Sequence, residues 1–485
     1  MTDIAFAPAK RLASLVRQKK IGCVELLDHY LARLEKHNPA VNAVIVTDIP
    51  NARKRAKAAD RALAKGDVWG PFHGVPMTVK EAFDVAGLPT SWGVPHLKHA
   101  IATTNAVAVD RWLAAGAVIF GKTNVPMYLS DGQSFNANYG VTSNPWNLGC
   151  TPGGSSGGAA AALAAGLTGI EIGSDIASSI RNPAHCCGVY GHKPTFGLCP
   201  TRGHTLMGRM TPDDINVIGP LARSAVDLEP ALNVMAGPDE IEAGAGKIAL
   251  PASRKKELRD FKVGVILNDP ACEVDQEIQD AIQRLADFLA KKKCKVSDRA
   301  RPDIDLTRVM HVFAVLLRGA TSHGQTDEQV AEHLKTLQAL GPDEQSAQAR
   351  VARGTTLYHR EWHALDEERT RMRWKWHDYF KQYDLLLCPS FPIAAHRHIH
   401  DVPVYQRTYQ VNGKAVTHSQ QIFWAGLSGV AYLPSTAVPI GFTRSGLPIG
   451  VQIVGPHFGD RTTLHFARLL EQEFHGFVPP PGYDA

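Results

Sequence analysis

Residues Gly153-Gly154-Ser155-Ser156-Gly157-Gly158, followed at once by the alanine-rich run 159–165, can be accommodated by few folds. Side chains this small let a helix over 156–165 lie close against a sheet. The glycines ahead of it let backbone approach a ligand at a helix N-terminus. A flexible Gly-Ser linker does not fit, because Thr151-Pro152 precedes and a helix follows directly. A phosphate loop is a second reading, but it would want a lysine inside the loop, and there is none. From Phe72 to Arg223 short β-type runs (Val75–Val79, Ala117–Phe120, Thr168–Ile172) alternate with small-residue helices. That alternation predicts an α/β fold, one large unit with a mixed, mostly parallel central sheet covered by helices on both sides.

Composition narrows the function classes. The 485 residues, 44% hydrophobic, allow a large core. A net charge of +5 with 20% charged residues and no long charge block does not imply nucleic acid. The N-terminal residues lack a basic stretch followed by an apolar run, so no secretory signal is expected. No charge-free apolar stretch reaches the roughly 20 residues of a membrane span. Eight cysteines without a repeating spacing suggest free thiols in a reducing cytoplasm, so a cytoplasmic protein is expected.

Four segments are expected along the chain. Residues 1–70 should form N-terminal helices packed on the core or on a second copy: two helices over 9–36, the second ended by Asn38-Pro39, and a third near 51–65. Residues 71–235 should hold the core. A largely helical insertion should occupy 236–400, with strands at Val263–Leu267, Cys294–Ser297 and Leu385–Leu387 and a helix over Asp275–Lys291. Residues 401–485 should return to the sheet through Val438–Val454.

Several motifs have a bland alternative. Gly116-Ala117-Val118-Ile119-Phe120-Gly121-Lys122-Thr123 fits the phosphate-loop pattern literally, but its four middle residues are apolar and no helix follows, so a buried strand is predicted. Ser178 and Ser179 lie between Asp175 and Arg181 and could simply satisfy local backbone groups. Lys80 ends an apolar run, where most lysines are solvated. His396, His398 and His400 alternate as on one strand face, without a recognisable metal partner set. Arg369–Lys375 with Trp374 and Trp376 has acidic neighbours and reads as a salt-laced helix.

Taken together, these segments resemble the amidase signature family over nearly the full chain. The likeness is carried by Gly74-Val75-Pro76-Met77-Thr78-Val79-Lys80-Glu81, Gly121–Pro126, Asn144-Pro145-Trp146-Asn147, Pro152–Gly158, Ser174–Arg181, Gly191–Thr195 and Leu447–Gly455, in the family order. The resemblance implies that Ser179 is the nucleophile, Ser155 the proton relay and Lys80 the base, with a cis peptide bond leading into Ser155. It also implies an oxyanion hole of the backbone N–H groups of Ile176, Ala177, Ser178 and Ser179. Ser156, Asp175 and Arg181 would orient the loop from behind. No cofactor and no metal are implied, and the expected partner is a small-molecule amide, without nucleic acid or membrane and with a homodimer open.

The chemistry behind that assignment is coherent. A serine hydroxyl attacks only once a base takes its proton. An ordinary lysine, near 10.4, stays protonated at neutral pH, so Lys80 must be buried among apolar neighbours; moving it to neutrality is worth about 4 kcal/mol. The chain departs from the family where Ala177-Ser178 stands for the usual Gly-Gly; a position needing φ > 0 would be strained there. Met127–Gln133 is expected to line the acyl pocket, with Leu129 at a position that contacts substrate in the family. Asp131 would either bind a cationic group or cap a turn. Tyr405, Tyr409, Phe423 and Trp424 would be a second wall or core. The predicted activity is hydrolysis of a small to medium carboxylic acid amide, aryl or acyl; a glutaminase-like subunit of a tRNA-dependent amidotransferase and an esterase or carbamate hydrolase are the alternatives.

Overall fold

A computed structural model describes residues 4–206, 208–341 and 344–484, apart from the side chains of Ala245 and Tyr405. Eight strands form one sheet in the order Lys295–Ser297, Lys262–Val265, Leu385–Pro389, Pro448–Val454, Ser435–Phe442, Tyr190–Lys193, Val217–Ala222 and Glu171–Asp175. The sheet is mixed, as expected. The parallel share is smaller than predicted: the first two pairings are parallel and the other five antiparallel. One reason is local. The run 438–454 is a hairpin, folded by a tight turn at Thr443–Leu447 in which Thr443 N–H donates to Leu447 O at 2.8 Å, and strands so joined must be antiparallel.

A smaller sheet pairs Val44–Thr47 antiparallel and Pro76–Lys80 parallel with Val118–Thr123. It abuts the large one where Gly169 N–H donates to Pro76 O at 3.1 Å and Thr78 N–H to Thr168 Oγ1 at 3.0 Å. This junction sets the end of Pro76–Lys80 beside Glu171–Asp175. The literal phosphate-loop match is indeed strand, and its Lys122 is buried, donating to Pro89 O and Thr90 Oγ1.

Neighbouring strand residues face opposite cores, as the two-residue period of a strand requires. Leu221 and Ala437 pack with the alanines of Gly157–Ala164 and with Ile180 and Ala184, while Ala222 and Val438 join the larger core with Leu228, Leu285 and Leu470. The glycine run makes the first face possible. A Cβ on Gly158 would collide with the Asn124 main chain, and one on Gly154 with the backbone of Asp131–Gln133.

Elsewhere the expected elements shift by a few residues. The second N-terminal helix runs through Pro39 to Val41 and ends at left-handed Asn42, because Asn38 and Pro39 sit in its last turn. The third spans Ile49–Ala64, and the predicted strand at 168–172 begins only at Glu171. His359–Gln382 is the predicted salt-laced helix, tied by Arg371–Glu367 and, across to its neighbours, by Arg308–Glu368 and Lys375–Asp303. All eight cysteines are buried and unpaired. No helix among the described residues is long and apolar enough to cross a membrane.

Candidate active site

Lys80 closes its strand with no exposed surface. Its Nζ donates to Ser155 Oγ at 2.7 Å and to Ser174 Oγ at 2.9 Å. Burial pushes the amine down to about 7, against a small opposing pull from Asp175. A lysine bonded only to hydroxyls, with no carboxylate in contact, can exist neutral at physiological pH. The sequence motifs give Ser174 no role of its own. Its one signal is its place five residues before Ser179 on a buried strand.

Ser155 follows a cis Gly154–Ser155 peptide, and Ser156 N–H donates to Ser179 O at 3.1 Å, so the two serine loops touch. Ser156 Oγ spans the backbone N–H and C=O of Ser174 at 3.4 Å each. Asn144 holds the glycine run from outside, its amide donating to Thr151 O and Cys186 O. Ser179 is 8% exposed and its hydroxyl bonds no described residue, whereas Ser178 Oγ is buried with no partner. Of the two adjacent serines, Ser179 is the one whose hydroxyl keeps access.

Asp175 organises the loop between them. Its carboxylate accepts from Ser178 N–H at 2.9 Å and Ile180 N–H at 3.1 Å, and is clasped by Arg181 at 2.9 and 3.0 Å. Arg181 goes on to Ala425 O, Ser428 Oγ and Gln452 Oε1. Burial alone would raise the Asp175 carboxyl; the guanidinium overrides it and holds it at about 2. One expectation is corrected here. The Ser178 N–H is spent on Asp175, so the N–H groups left without a partner among the described residues are those of Ile176, Ala177 and Ser179. Ser178 is also the position with left-handed backbone, φ 90°, so the second of the family's two glycines is the one whose replacement strains the loop.

The loop over residues 127–133 is clamped from far along the chain. Asp131 binds Arg407 through both carboxylate oxygens, at 2.9 and 2.7 Å, and accepts from Gln133 N–H at 3.1 Å. Its charge is thereby matched inside the protein, which corrects the reading of a carboxylate turned to a cationic ligand. Gln133 pairs with Ile399 through both amide atoms. Leu129 packs on the cluster of Ala82, Trp92 and Val94, next in sequence to Lys80 and Glu81. Tyr409, Phe423 and Trp424 are core. His398 and His400 rings lie 4.9 Å apart in a loop, and no metal-holding group of three ligands occurs among the described residues.

An α/β fold that presents a buried lysine on two serines defines a hydrolase class, and known proteins of similar sequence and structure agree. The family model described as Amidase matches residues 25–464, and the chain belongs to that family. It is an enzyme that hydrolyses amide C–N bonds. Indoleacetamide hydrolase of Bradyrhizobium diazoefficiens is 32% identical, covering 95% of this chain and 85% of its own. A glutamyl-tRNA(Gln) amidotransferase component from a Synechococcus species is 30% identical, covering 95% of each. A solved bacterial aryl acylamidase of the amidase signature family superimposes with a TM-score of 0.82 at 25% identity, over 99% of both chains.

Proposed function

We propose that the protein hydrolyses a small to medium aryl or acyl amide on its own, through a Ser179 acyl-enzyme. The observation that carries this reading is the fully buried Lys80 Nζ, 2.7 Å from Ser155 Oγ and driven toward neutrality by burial. Neutral Lys80 takes the Ser155 proton as Ser155 takes that of Ser179. Ser179 Oγ then bonds the carbonyl carbon, and the oxyanion is met by the N–H groups of Ile176, Ala177 and Ser179. The tetrahedral adduct collapses and the C–N bond breaks. The proton held by Lys80 returns through Ser155 to the leaving amine, and water releases the acid by the reverse proton path. Leu129 borders the acyl group. The alternative, an ammonia-supplying component of a tRNA-linked complex, has the support of the amidotransferase relative.

The test is a panel of amides, esters and carbamates on wild type and Ser179→Ala. Hydrolysis is expected to fall about 10⁴-fold or more in the variant; turnover unchanged in Ser179→Ala sinks the reading. Size-exclusion of the purified protein with a glutaminase assay separates the two readings: glutamine turnover surpassing that of every simple amide favours the component of a complex.

A further inference from the structure

A cavity of about 540 Å³ opens among three helices, Ala9–Arg17, Ala225–Met235 and Asp460–Glu473. None of the residues lining it takes part in the candidate active site. Its apolar lining is Pro71, Val226, Pro230 and Val234, exposed at Pro71 and half-buried at the other three. Its cations are Lys10 and Arg468, both exposed. Small-molecule sites run from roughly 300 to 1,000 Å³ and are mostly apolar with a few placed polar groups, and this cavity has that size and that make-up.

The walls are tied together from behind. The buried Asp227 carboxylate accepts from Ala9 N–H at 2.7 Å and Lys10 N–H at 2.8 Å, which pins the first helix to the second. Ala225 N–H donates to Glu471 Oε2 at 3.0 Å and joins the second to the third. A ligand therefore meets a cavity already formed, which lowers the cost of ordering on binding. The charges do not cancel. Glu229, the one acidic lining residue, faces Arg461 at 3.4 Å, and Arg461 also bonds Asn233 Oδ1. Asp227 and Glu471 are spent on backbone N–H groups. Among the described residues Lys10 forms no ion pair, and Arg468 meets only His465 Nδ1, at 2.9 Å. Arg17, which donates to Pro71 O at 3.1 Å, adds a third cation without a carboxylate. Residues 1–70 hold thirteen Lys and Arg against seven Asp and Glu, so this segment carries more than the whole net charge of +5.

We propose that this cavity is a second ligand site, for an amphipathic monocarboxylate. The headgroup is held by Lys10 and Arg468, and the alkyl or aryl body covers Val226, Pro230 and Val234. Both halves of the ligand are needed. A plain inorganic anion leaves the apolar lining in water, and an ammonium of the same body meets two like charges. An acid freed by amide hydrolysis belongs to the proposed class. The site stands apart from the reading of Lys80, Ser155 and Ser179, since no step of the reaction passes through it.

The test is isothermal titration of the full chain with octanoate, octylammonium and inorganic phosphate. Wild type should bind octanoate with a Kd of about 1 mM or tighter, and the other two at least about tenfold more weakly. Lys10→Glu and Arg468→Glu should each weaken octanoate about tenfold, because an attraction becomes a repulsion, while Lys10→Arg keeps it. Added salt should weaken it too. Octanoate bound equally by wild type and both glutamate variants sits elsewhere, the active site included, and overturns the proposal. So does wild type that binds no octanoate up to about 10 mM. Octylammonium bound as tightly would show an apolar patch without charge selection, and phosphate bound as tightly a plain anion site; either result overturns it. Thermal melting checks that each variant is folded. If Arg468→Glu is not, Lys10→Glu and Lys10→Arg decide. Failure of the hydrolytic reading is distinct, because it is read by turnover in Ser179→Ala and leaves octanoate binding in place.

Discussion

Arg181 and Lys80 are both sealed from water, at 1% and 0% exposed, yet the protein deals with their charges in opposite ways. Around Arg181 the answer is pairing: Asp175 takes two of its bonds, and Ser428, Gln452 and a carbonyl take more. Around Lys80 the hydrogen-bond partners are hydroxyls alone, and burial pushes the amine down to about 7. A guanidinium cannot be deprotonated in a protein, while an amine can, so the residue type suits each task. The satisfied cation suits a structural task, and the unsatisfied amine suits the role of base proposed for Lys80.

The comparison breaks most directly at Lys80. Lys80→Met should lower kcat/KM by about 10³-fold while thermal melting holds or rises, because a buried base is lost and no ion pair is broken. Activity within tenfold of wild type would mean that Lys80 is not the base. Arg181→Met should do the reverse, costing about 3–5 kcal/mol in urea denaturation because Asp175 is left buried and unpaired. Adding Asp175→Asn should recover part of that loss; an Arg181→Met protein as stable as wild type would end the claim of a structural pair.

Acid should separate the two regions in a single sample. As the proposed base Lys80 would work only when neutral, so kcat/KM should rise with pH through a midpoint near 7 and be down about 100-fold near pH 5. Asp175 has a depressed folded value of about 2 against an ordinary 3.8. Its contribution to stability is thus present above about 3.8 and lost as pH falls toward 2. Near pH 5 circular dichroism should still show a folded, inactive protein. A rate midpoint above 9 would contradict a buried neutral lysine. The smallest effect is expected at Ser178→Gly, which relieves the φ of 90° and should add about 1 kcal/mol to stability. A lower melting temperature in that variant would show that the serine side chain contributes there.

The positions proposed as catalytic are legible in the sequence because their chemistry is local. Lys80 ends an apolar run, and Ser155 sits in glycines that only close backbone approach explains. What escaped depends on partners far along the chain. Asp131 reads as a turn or a ligand for a cation until Arg407 is beside it, and Ser178 N–H reads as one oxyanion donor until Asp175 takes it. Strand direction is less legible for a related reason: alternating elements suggest crossovers, but the pairing of Glu171–Asp175 with Val217–Ala222, whose other edge meets Tyr190–Lys193, follows from contacts that no local pattern records.

The glycine run that admits the helix also limits how such an enzyme can diversify. At Gly154 and Gly158 almost any replacement meets main chain, which cannot step aside. Saturation mutagenesis across 153–158 would therefore be nearly blank, with tolerance returning at exposed positions such as Met127 and Tyr128. New substrates in this lineage must be acquired at the rim, with the centre inherited unchanged.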